Sequence, residues 1–243
     1  MKKGARYDWI DIYDWDRDPD GNIIHNGGIP IKQSFKSKVA NLSPDLVWGI
    51  TNTLQYKAFT LILSIDGRVG GNSFSRTHQM LWNSGAHVDT DNQYRYDEVV
   101  NGKNTYIGEG VKVVSGSVQR DPDGNIIEDT RVYAPNDVVV SYEAYISRYH
   151  DSTSKPSRQN VLDETFFKIR NLSLIYTIPK SLSSKMRMSN ASIGLTGQNL
   201  FLWAKEYKYA DPDKGGSSDS SYGYENLNSP SQRYLGVNIK IGF

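Results

Sequence analysis

The chain contains no cysteine, so neither disulfides nor thiolate metal sites hold its fold together. It has no run of about 18 apolar residues, which excludes a transmembrane helix. Its formal net charge is only +1, so nothing in its electrostatics favours nucleic acid or an anionic membrane surface as a partner. A chain that crosses a membrane with strands is not excluded, because each strand needs only about 9 to 11 alternating residues.

Aromatic residues and glycine are plentiful. The 243 residues include 16 Tyr, 5 Trp and 21 Gly, although hydrophobic residues make up only 37% of the chain. This balance suits strands, turns and aromatic girdles better than helices. The length allows one large all-β domain or two smaller domains.

The last stretch of the chain, Gln232 to Phe243, alternates between two kinds of side chain. Its odd positions are apolar: Leu235, Val237, Ile239, Ile241 and Phe243. Its even positions are small or polar: Tyr234, Gly236, Asn238, Lys240 and Gly242. Successive side chains of a strand point to opposite sides, so this pattern predicts a two-faced strand. The apolar face would meet a core in a soluble sheet, or lipid in a transmembrane barrel.

Four further stretches alternate in the same way, namely 46–57, 58–70, 165–179 and 190–204. The first two are separated by a very short turn near residues 56–58 and therefore predict an antiparallel hairpin. In the third, Lys168 and Arg170 fall on the otherwise apolar face. This placement predicts either a bulge or a position beyond the lipid zone.

Two long polar stretches, 71–164 and 204–231, interrupt the alternation. Within the first, residues 71–85 predict a helix, and residues 138–150, VVVSYEAYISRYH, predict a strand. Compact soluble domains seldom carry connections of this length, whereas long loops on one side and tight turns on the other are typical of outer-membrane barrels. The predicted fold class is therefore all-β, an antiparallel transmembrane β-barrel segment with these two stretches as long extracellular loops.

The sequence RDPDGNII occurs twice, at 17–24 and at 120–127. Proline and glycine at these places, with an aspartate able to bond its own turn, predict two hairpin tips. Asp16, Asp18 and Asp20 also match the front half of a calcium loop, but no glutamate stands at the twelfth position. A plain hairpin is the favoured interpretation, and calcium is the one cofactor kept as an alternative.

No catalytic constellation is present, so the chain is predicted not to be an enzyme. Its histidines, His25, His78, His87 and His150, are widely spaced and belong to no zinc-protease motif. His78 and His87 are interpreted as solvated loop residues. A metal-binding pair formed by His78 and His87, on either side of Trp82, is the less favoured alternative.

Six aromatic residues stand in polar surroundings within the long stretches: Trp82, Tyr94, Tyr96, Tyr106, Tyr222 and Tyr224. Such side chains stack on sugar rings or pack against a protein lid. They are the candidate residues for contact with a substrate or a lid. Packing within the loops is an equally weighted alternative.

Five stretches together carry a family resemblance: 17–31, 45–71, 166–182, 192–213 and 234–243. The words RNLSLIYTIP and GQNLF are the most specific of them, and the likeness covers most of the chain. The chain resembles the C-terminal barrel strands of the SusC/RagA family of TonB-dependent outer-membrane transporters.

The resemblance implies a large plugged barrel, of the kind described for 22-stranded transporters. It implies import of glycan oligosaccharides or peptides across the outer membrane of a Gram-negative bacterium. The implied partners are outer-membrane lipid, a SusD-like surface lipoprotein and a TonB complex that contacts the N-terminal part. Because residues 1–243 show no signal peptide, TonB contact segment or plug domain, the chain is expected to be the C-terminal part of such a transporter.

The resemblance also gives the final residue a role. A terminal strand ending in an aromatic residue resembles the signal read by the barrel assembly machinery, so Phe243 is interpreted as an assembly signal. Two other functions stay open from the sequence. The first is a soluble β-sandwich that binds carbohydrate, which would bury the same apolar faces between two sheets. The second, within the transporter class, is a siderophore receptor.

Overall fold

The computed structural model describes residues 7–151, 157–214 and 223–243. The chain divides into two compact units, each assembled from three stretches of sequence. The first unit comprises Met1–Leu42, Ser73–Leu162 and Gly216–Leu227. The second comprises Ser43–Asn72, Asp163–Gly215 and Asn228–Phe243.

Strands dominate the described residues. In chain order the strands are β1 (Trp9–Ile12), β2 (Ile24–Asn26), β3 (Ile29–Pro30), β4 (Ser37–Asn41), β5 (Pro44–Tyr56), β6 (Phe59–Gly70), β7 (Asn72–Ser75), β8 (Val111–Ser115), β9 (Val118–Arg120), β10 (Ile126–Asp129), β11 (Val132–Pro135), β12 (Val161–Asp163), β13 (Phe166–Thr177), β14 (Asn190–Ala204), β15 (Tyr224–Glu225) and β16 (Tyr234–Gly242). The α-helices are α1 (Arg76–Asn83), α2 (Gln93–Val99), α3 (Tyr142–Tyr149) and α4 (Lys180–Ser183). The helices in the described ranges are all too short and too polar to cross a membrane.

The second unit is a five-stranded antiparallel sheet in the order β16-β14-β13-β6-β5. Each of the five strands predicted from the alternation is confirmed. β5 and β6 are joined by a tight turn in which Lys57 has φ 52°. The short link between β13 and β14 contains α4. The two long connections, 71–165 and 205–233, leave from the opposite end of the sheet.

A register shift in β13 keeps its apolar side chains on one face of the sheet. Against both neighbouring strands the register shifts between Ile169 and Asn171, which is the bulge that was one of the two predictions for this strand. Before the shift Ile169 lies opposite Ile65, and after it Leu172 lies opposite Leu63. The apolar positions of β13 therefore change from odd to even numbers and stay on one face of the sheet.

One face of the sheet is apolar across all five strands. A single cross-strand row contains Leu54, Leu61, Leu174, Leu195 and Val237. Leu54, Leu195 and Val237 are 60%, 61% and 64% exposed, so the described residues do not cover this face. A β-sandwich would bury it, and a barrel wall would turn it toward lipid.

Aromatic side chains lie at both ends of the apolar face. Phe59 and Tyr176, next to the tight turns, have ring centroids 4.9 Å apart. At the other end Phe167 stacks on Trp203 at 5.6 Å. A rise of ~3.3 Å per residue places Gly67, which lies opposite Phe167, about 26 Å along β6 from Phe59. This distance is on the scale of the ~25 Å apolar band of outer-membrane barrels.

Glycine at position 67 lets two neighbours approach the strand. A Cβ atom added there would lie 2.6 Å from the backbone oxygen of Phe166 and 2.7 Å from the Trp48 ring. The Trp48 ring therefore lies against β6 at the end of the apolar face where Phe167 stacks on Trp203. Only glycine permits this approach without a shift of the ring or the backbone.

The sheet is open within the described residues. β5 and β16 are its edges and pair on one side only, so the described strands form no closed barrel. The all-β prediction is confirmed in this coarser form. The opposite face carries polar rows, such as Thr51, Ser64, Asn171, Gln198 and Tyr234.

The first unit combines short sheets with three helices. Its sheets have the orders β1-β4, β9-β10, β11-β8-β2-β3 and β12-β7-β15. Helices α1, α2 and α3 each begin at a polar residue whose side chain accepts a backbone N–H of the first turn, namely Ser75, Asn92 and Ser141. The helix predicted within 71–85 is confirmed over Arg76–Asn83.

The strand predicted over residues 138–150 is wrong, because most of this stretch forms α3. Tyr142, Tyr145 and Ile146 are buried on one side of α3 and form a core cluster. Their spacing of three and four residues is the helical period. The run of three valines before Ser141 favours a strand locally, but the cap and the tertiary packing of the tyrosines prevail.

Candidate functional site

Helices α1, α2 and α3 line a cleft of about 400 Å³ in the first unit. Its size is in the range that accommodates small ligands. Side chains from all three helices contribute to it, among them Trp82, Arg95, Glu98, Tyr142 and Ile146.

Helix α1 is held at its N-terminus by a buried carboxylate. Glu225 is fully buried and accepts hydrogen bonds from Ser75 Oγ at 2.8 Å, from Thr77 N at 3.0 Å and from Thr77 Oγ1 at 2.7 Å. A negative charge at this end of a helix is also favoured by the helix dipole. Glu225 thereby fixes the start of the helix whose last turn lines the cleft.

The indole of Trp82 is enclosed by three histidines. His87 and His150 stack on its rings, each with centroids 4.4 Å apart and interplanar angles of 16° and 8°. Trp82 Nε1 donates a hydrogen bond to His78 Nε2 at 3.0 Å. The two stacked imidazoles cover the ring faces that a sugar would need, so Trp82 presents its edge to the cleft.

The interpretation of His87 as a solvated loop residue is wrong, because its side chain is only 5% exposed. His78 lies in α1 and is half-buried, and His25 and His150 are buried as well, at 2% and 4% exposed. Asn160 joins two of the rings around Trp82, with its Oδ1 lying 3.0 Å from His150 Nδ1 and 3.4 Å from His78 Nδ1. Within the described residues no group of three His, Asp or Glu side chains has the geometry to hold a metal ion.

Burial lowers the pKa of His150 to about 3, against 6.5 for a solvated histidine. Burial also lowers the pKa of His25. Both imidazoles are therefore neutral at neutral pH, because burial disfavours the charged form of a histidine.

We expect the first unit to lose stability as the pH falls from about 6.5 toward 3. His150 binds a proton readily only when unfolded, so stability is complete above its unfolded pKa of 6.5 and declines below it. By pH 5 the loss is about 2 kcal/mol. Hydrogen exchange of the α1 and α3 amides, corrected for the intrinsic effect of pH, measures the change.

The control is His150→Phe, which keeps an aromatic ring on Trp82, and it should flatten the dependence of stability on pH. An equally steep dependence in that variant would contradict the assignment.

The tyrosines predicted as contact residues fall into two groups. Tyr106 packs against Tyr94, Tyr142 and Tyr145 with centroids 4.8 to 5.2 Å apart, and burial raises the pKa of Tyr106 to about 12. Tyr224 stacks on Phe74 at 5.4 Å. Tyr106 and Tyr224 therefore serve in packing rather than in contact with a substrate or a lid.

Tyr94 and Tyr96, by contrast, are 45% and 54% exposed on α2. Both remain available for contact with a substrate or a lid. Tyr222, the sixth predicted aromatic residue, lies outside the described residues. The six residues are therefore not brought together into one binding platform.

The sequence reasoning missed the tyrosines of α3. Tyr145 stacks on Tyr149 at 5.6 Å, and Tyr149 stacks on Trp15 at 5.1 Å. These rings pack together beside α3, the helix whose Tyr142 and Ile146 line the cleft. The spacing of tyrosines at 142, 145 and 149 was the available signal.

Arg95 and Glu98 bring opposite charges to the cleft, but their environments differ. Arg95 Nη1 donates to the backbone oxygen of Gly85 at 2.6 Å and to Thr90 Oγ1 at 3.2 Å. No carboxylate of the described residues forms an ion pair with it. The carboxylate of Glu98 accepts from Ser141 Oγ at 2.5 Å and from Glu143 N at 3.1 Å, so it caps α3.

The two RDPDGNII copies form the same turn, which confirms the hairpin prediction. Asn22 N donates to Asp18 Oδ1 at 2.7 Å, and Asn125 N donates to Asp121 Oδ1 at 2.8 Å. The glycine of each turn adopts a positive φ, 90° at Gly21 and 87° at Gly124. In each copy the first arginine donates to the carbonyl of that glycine.

The calcium hypothesis gains no support from the positions of its three carboxylates. Asp16 pairs with Arg120 at 2.6 Å and with Arg131 at 2.8 Å. Both oxygens of Asp18 bind the asparagine of its own turn, and Asp20 is exposed at the tip. Arg120 and Arg131 therefore already neutralise the charge of Asp16.

The polar face of the second unit carries an ion network near its long-connection end. Arg170 donates to both oxygens of Asp66, at 2.8 and 2.5 Å, and also to Asp213 at 2.7 Å. Lys168 is 2% exposed, and its Nζ lies 2.6 Å from Asp211 and 3.3 Å from Asp213. The network joins the segment that follows β14 to the sheet.

Phe243 follows β16 at the end of the apolar face and is 93% exposed. Its role as an assembly signal stays a prediction.

Comparison with known proteins shows similarity to a curated relative and to solved structures. The chain is 24% identical over 236 residues to TonB-dependent receptor P3 of Formosa agariphila, and the match covers 93% of this chain and 19% of that protein. No family model matches the chain. The chain spans about a fifth of the length of the relatives it matches.

The solved structures are of the RagAB peptide importer. Its open-open state gives a TM-score of 0.53 at 14% identity, covering 97% of this chain and 22% of that chain. The RagAB peptide transporter gives 0.55 at 14%, covering 97% and 23%, and the closed-closed state gives 0.51 at 16%, also covering 97% and 23%.

At these identities the likeness establishes the fold. The resemblance to SusC/RagA-type TonB-dependent proteins is confirmed. The relatives are named as a receptor and as importers, and none of them as an enzyme.

Proposed function

We propose that this chain forms the C-terminal barrel wall of an outer-membrane transporter that imports nutrients by a TonB-dependent route. The observation that carries the proposal is the apolar face of the second unit, which is exposed across five strands and bounded by aromatic rings at both ends. Lipid would cover this face, and the polar rows would face the lumen.

The long connection 71–165, which supplies most of the first unit, is the segment that we propose to be extracellular. Its cleft is our candidate contact site for the nutrient, and the exposed Tyr94 and Tyr96 are candidates for contact with a partner. A SusD-like surface lipoprotein is the partner we propose, and a TonB complex would act on another part of the transporter. A glycan oligosaccharide and a peptide are both suitable cargo, and a siderophore is the alternative within the transporter class.

The test uses the full-length protein to which this chain belongs. In a Gram-negative host it should enter the outer membrane and show heat-modifiable migration on gels. Labelled oligosaccharides, short peptides and ferric siderophores are then offered to cells with and without TonB. Uptake of one cargo class that depends on both the protein and TonB is the expected result. A soluble location, or uptake unaffected by deletion of the protein, would contradict it.

A further inference from the structure

We propose that the link between β13 and β14, residues 178–189, binds the headgroups of anionic phospholipids in the periplasmic leaflet of the outer membrane. Its cations would contact the phosphates, and its exposed Leu182 and Met186 would enter the boundary of the acyl chains. This inference rests on the proposed function, because it takes the apolar face of the second unit to be covered by lipid. It goes further because it assigns a class of lipid to a particular segment.

The link carries positive charge that no carboxylate balances. Its sequence, IPKSLSSKMRMS, contains Lys180, Lys185 and Arg187 and no acidic residue, and all three cations are exposed. The described residues place no carboxylate within ion-pair distance of them. The strand segments beside the link, 46–65, 171–177, 190–204 and 234–243, also contain no Asp or Glu. The link therefore presents unpaired cations.

The opposite end of the sheet shows a different arrangement of charge. There Lys168 pairs with Asp211, and Arg170 pairs with Asp66. The cations at that end are matched by carboxylates of the chain itself, whereas those of the link are not. An anionic surface outside the chain is the complement that the link fits.

Two apolar side chains of the link are exposed beside these cations. Leu182 and Met186 are 57% and 62% exposed, although the link is compact, with Ser183 buried and Met188 N donating to Ser183 O at 2.9 Å. The link joins two inner strands of the order β16-β14-β13-β6-β5. Further strands added at the edges β5 and β16 would therefore not cover it.

The burial of one residue indicates that the link bends toward the apolar side of the sheet. Ala191 belongs to the apolar face and is only 4% exposed, whereas Ile193 and Ile241 beside it on that face are 44% and 50% exposed. Helix α4 of the link contacts β14, which accounts for the burial of Ala191. The rings of Phe59 and Tyr176 lie at the same end of the face. Aromatic rings with Lys and Arg beside an apolar band are typical of a membrane interface.

The tight turns of outer-membrane barrels face the periplasm. The leaflet on that side consists of phospholipids, of which phosphatidylglycerol is anionic and phosphatidylethanolamine is zwitterionic. The proposal therefore predicts that the transporter prefers phosphatidylglycerol and that the preference depends on the cations of the link.

The test uses the detergent-solubilised full-length transporter and these two lipids with identical acyl chains. Native mass spectrometry measures the binding of each lipid. We expect phosphatidylglycerol to bind about tenfold more tightly. Lys180→Gln together with Lys185→Gln should remove most of this preference, and arginine at both positions should retain it. Leu182→Ser together with Met186→Ser should weaken the binding of both lipids equally.

The matched control is Lys36→Gln together with Lys103→Gln, which neutralises two exposed lysines of the first unit and should leave the lipid preference unchanged. Heat-modifiable migration on gels verifies that each variant is folded. An equal loss of preference in the control would assign the effect to net charge and overturn the inference. Equal binding of the two lipids by the unaltered protein, or an unchanged preference in the double glutamine variant, would overturn it as well.

A photo-reactive amino acid introduced at position 182 identifies in cells what covers the link. We expect adducts with phospholipid, and adducts with a protein in their place would overturn the inference. TonB-dependent uptake should persist in all of these variants. Uptake that persists without any lipid preference would contradict this inference alone and leave the proposed transport function intact.

Discussion

In buffer without detergent, this 243-residue chain expressed by itself is expected to aggregate. The cause is the apolar face of the second unit, where residues such as Leu54, Leu195 and Val237 are 60% or more exposed. Soluble monomers seldom expose apolar patches larger than a few hundred Å². The edges of β5 and β16, each paired on one side only within the described sheet, add open templates for strand pairing. Sedimentation and light scattering with and without detergent measure the effect, which should approach complete loss of monomer in buffer.

Substitutions on the two faces of the sheet should act differently. Replacing Leu54, Leu195 and Val237 together by serine removes part of the exposed apolar row and should leave more of the chain soluble. The matched control replaces Thr51, Ser64 and Gln198 by alanine on the polar face and should not increase solubility. A sharp monomer of the unaltered chain in buffer would contradict the prediction and favour a soluble sandwich.

The strands of the second unit were predictable because their signal is local. Alternation with a period of two needs no knowledge of distant residues. The positions of Lys168 and Arg170 predicted either a bulge in β13 or a place beyond the lipid zone, and the strand has the register shift of a bulge. The sequence therefore carried most of the information that defines the sheet.

The first unit was not predictable to the same degree, because its structure depends on contacts between distant residues. His150 lies far from Trp82 in the chain, and only the folded unit brings its ring onto the indole. The carboxylate of Glu225 reaches Ser75 at the start of α1 across 150 positions. Single-sequence patterns hold no signal for such pairings.

Helix α3 was mispredicted for a different reason. Two local signals conflicted, the β-branched run Val138–Val140 and the helical spacing of Tyr142, Tyr145 and Tyr149. The β propensity of the valines led to the prediction of a strand, whereas the Ser141 cap and the burial of the tyrosines favour the helix that forms. This error concealed the candidate cleft, because α3 forms one of its walls.

Lys168→Met should destabilise the second unit by about 3–5 kcal/mol. The ammonium is 2% exposed and lies 2.6 Å from Asp211, itself only 3% exposed. Removing Lys168 leaves the buried carboxylate of Asp211 without its cation, whereas Asp213 keeps its bond from Arg170. In the full-length transporter the result should be a lower thermal midpoint of the heat-modifiable gel shift. The amides of segment 205–214 should also exchange hydrogen faster.

Two further variants separate the burial of this pair from the mere presence of an ion pair. Lys205→Met breaks a pair with Asp163 in which the lysine side chain is 54% exposed, and it should cost less than about 1 kcal/mol. Adding Asp211→Asn to Lys168→Met removes the unpaired buried carboxylate and should restore part of the lost stability. If Lys168→Met costs no more than Lys205→Met, the buried pair does not hold the segment after β14 against the sheet. A full loss in Lys168→Met with no recovery in the double variant would instead assign the effect to the packing of the Lys168 stem on Phe166, whose ring lies 5.3 Å from the ammonium.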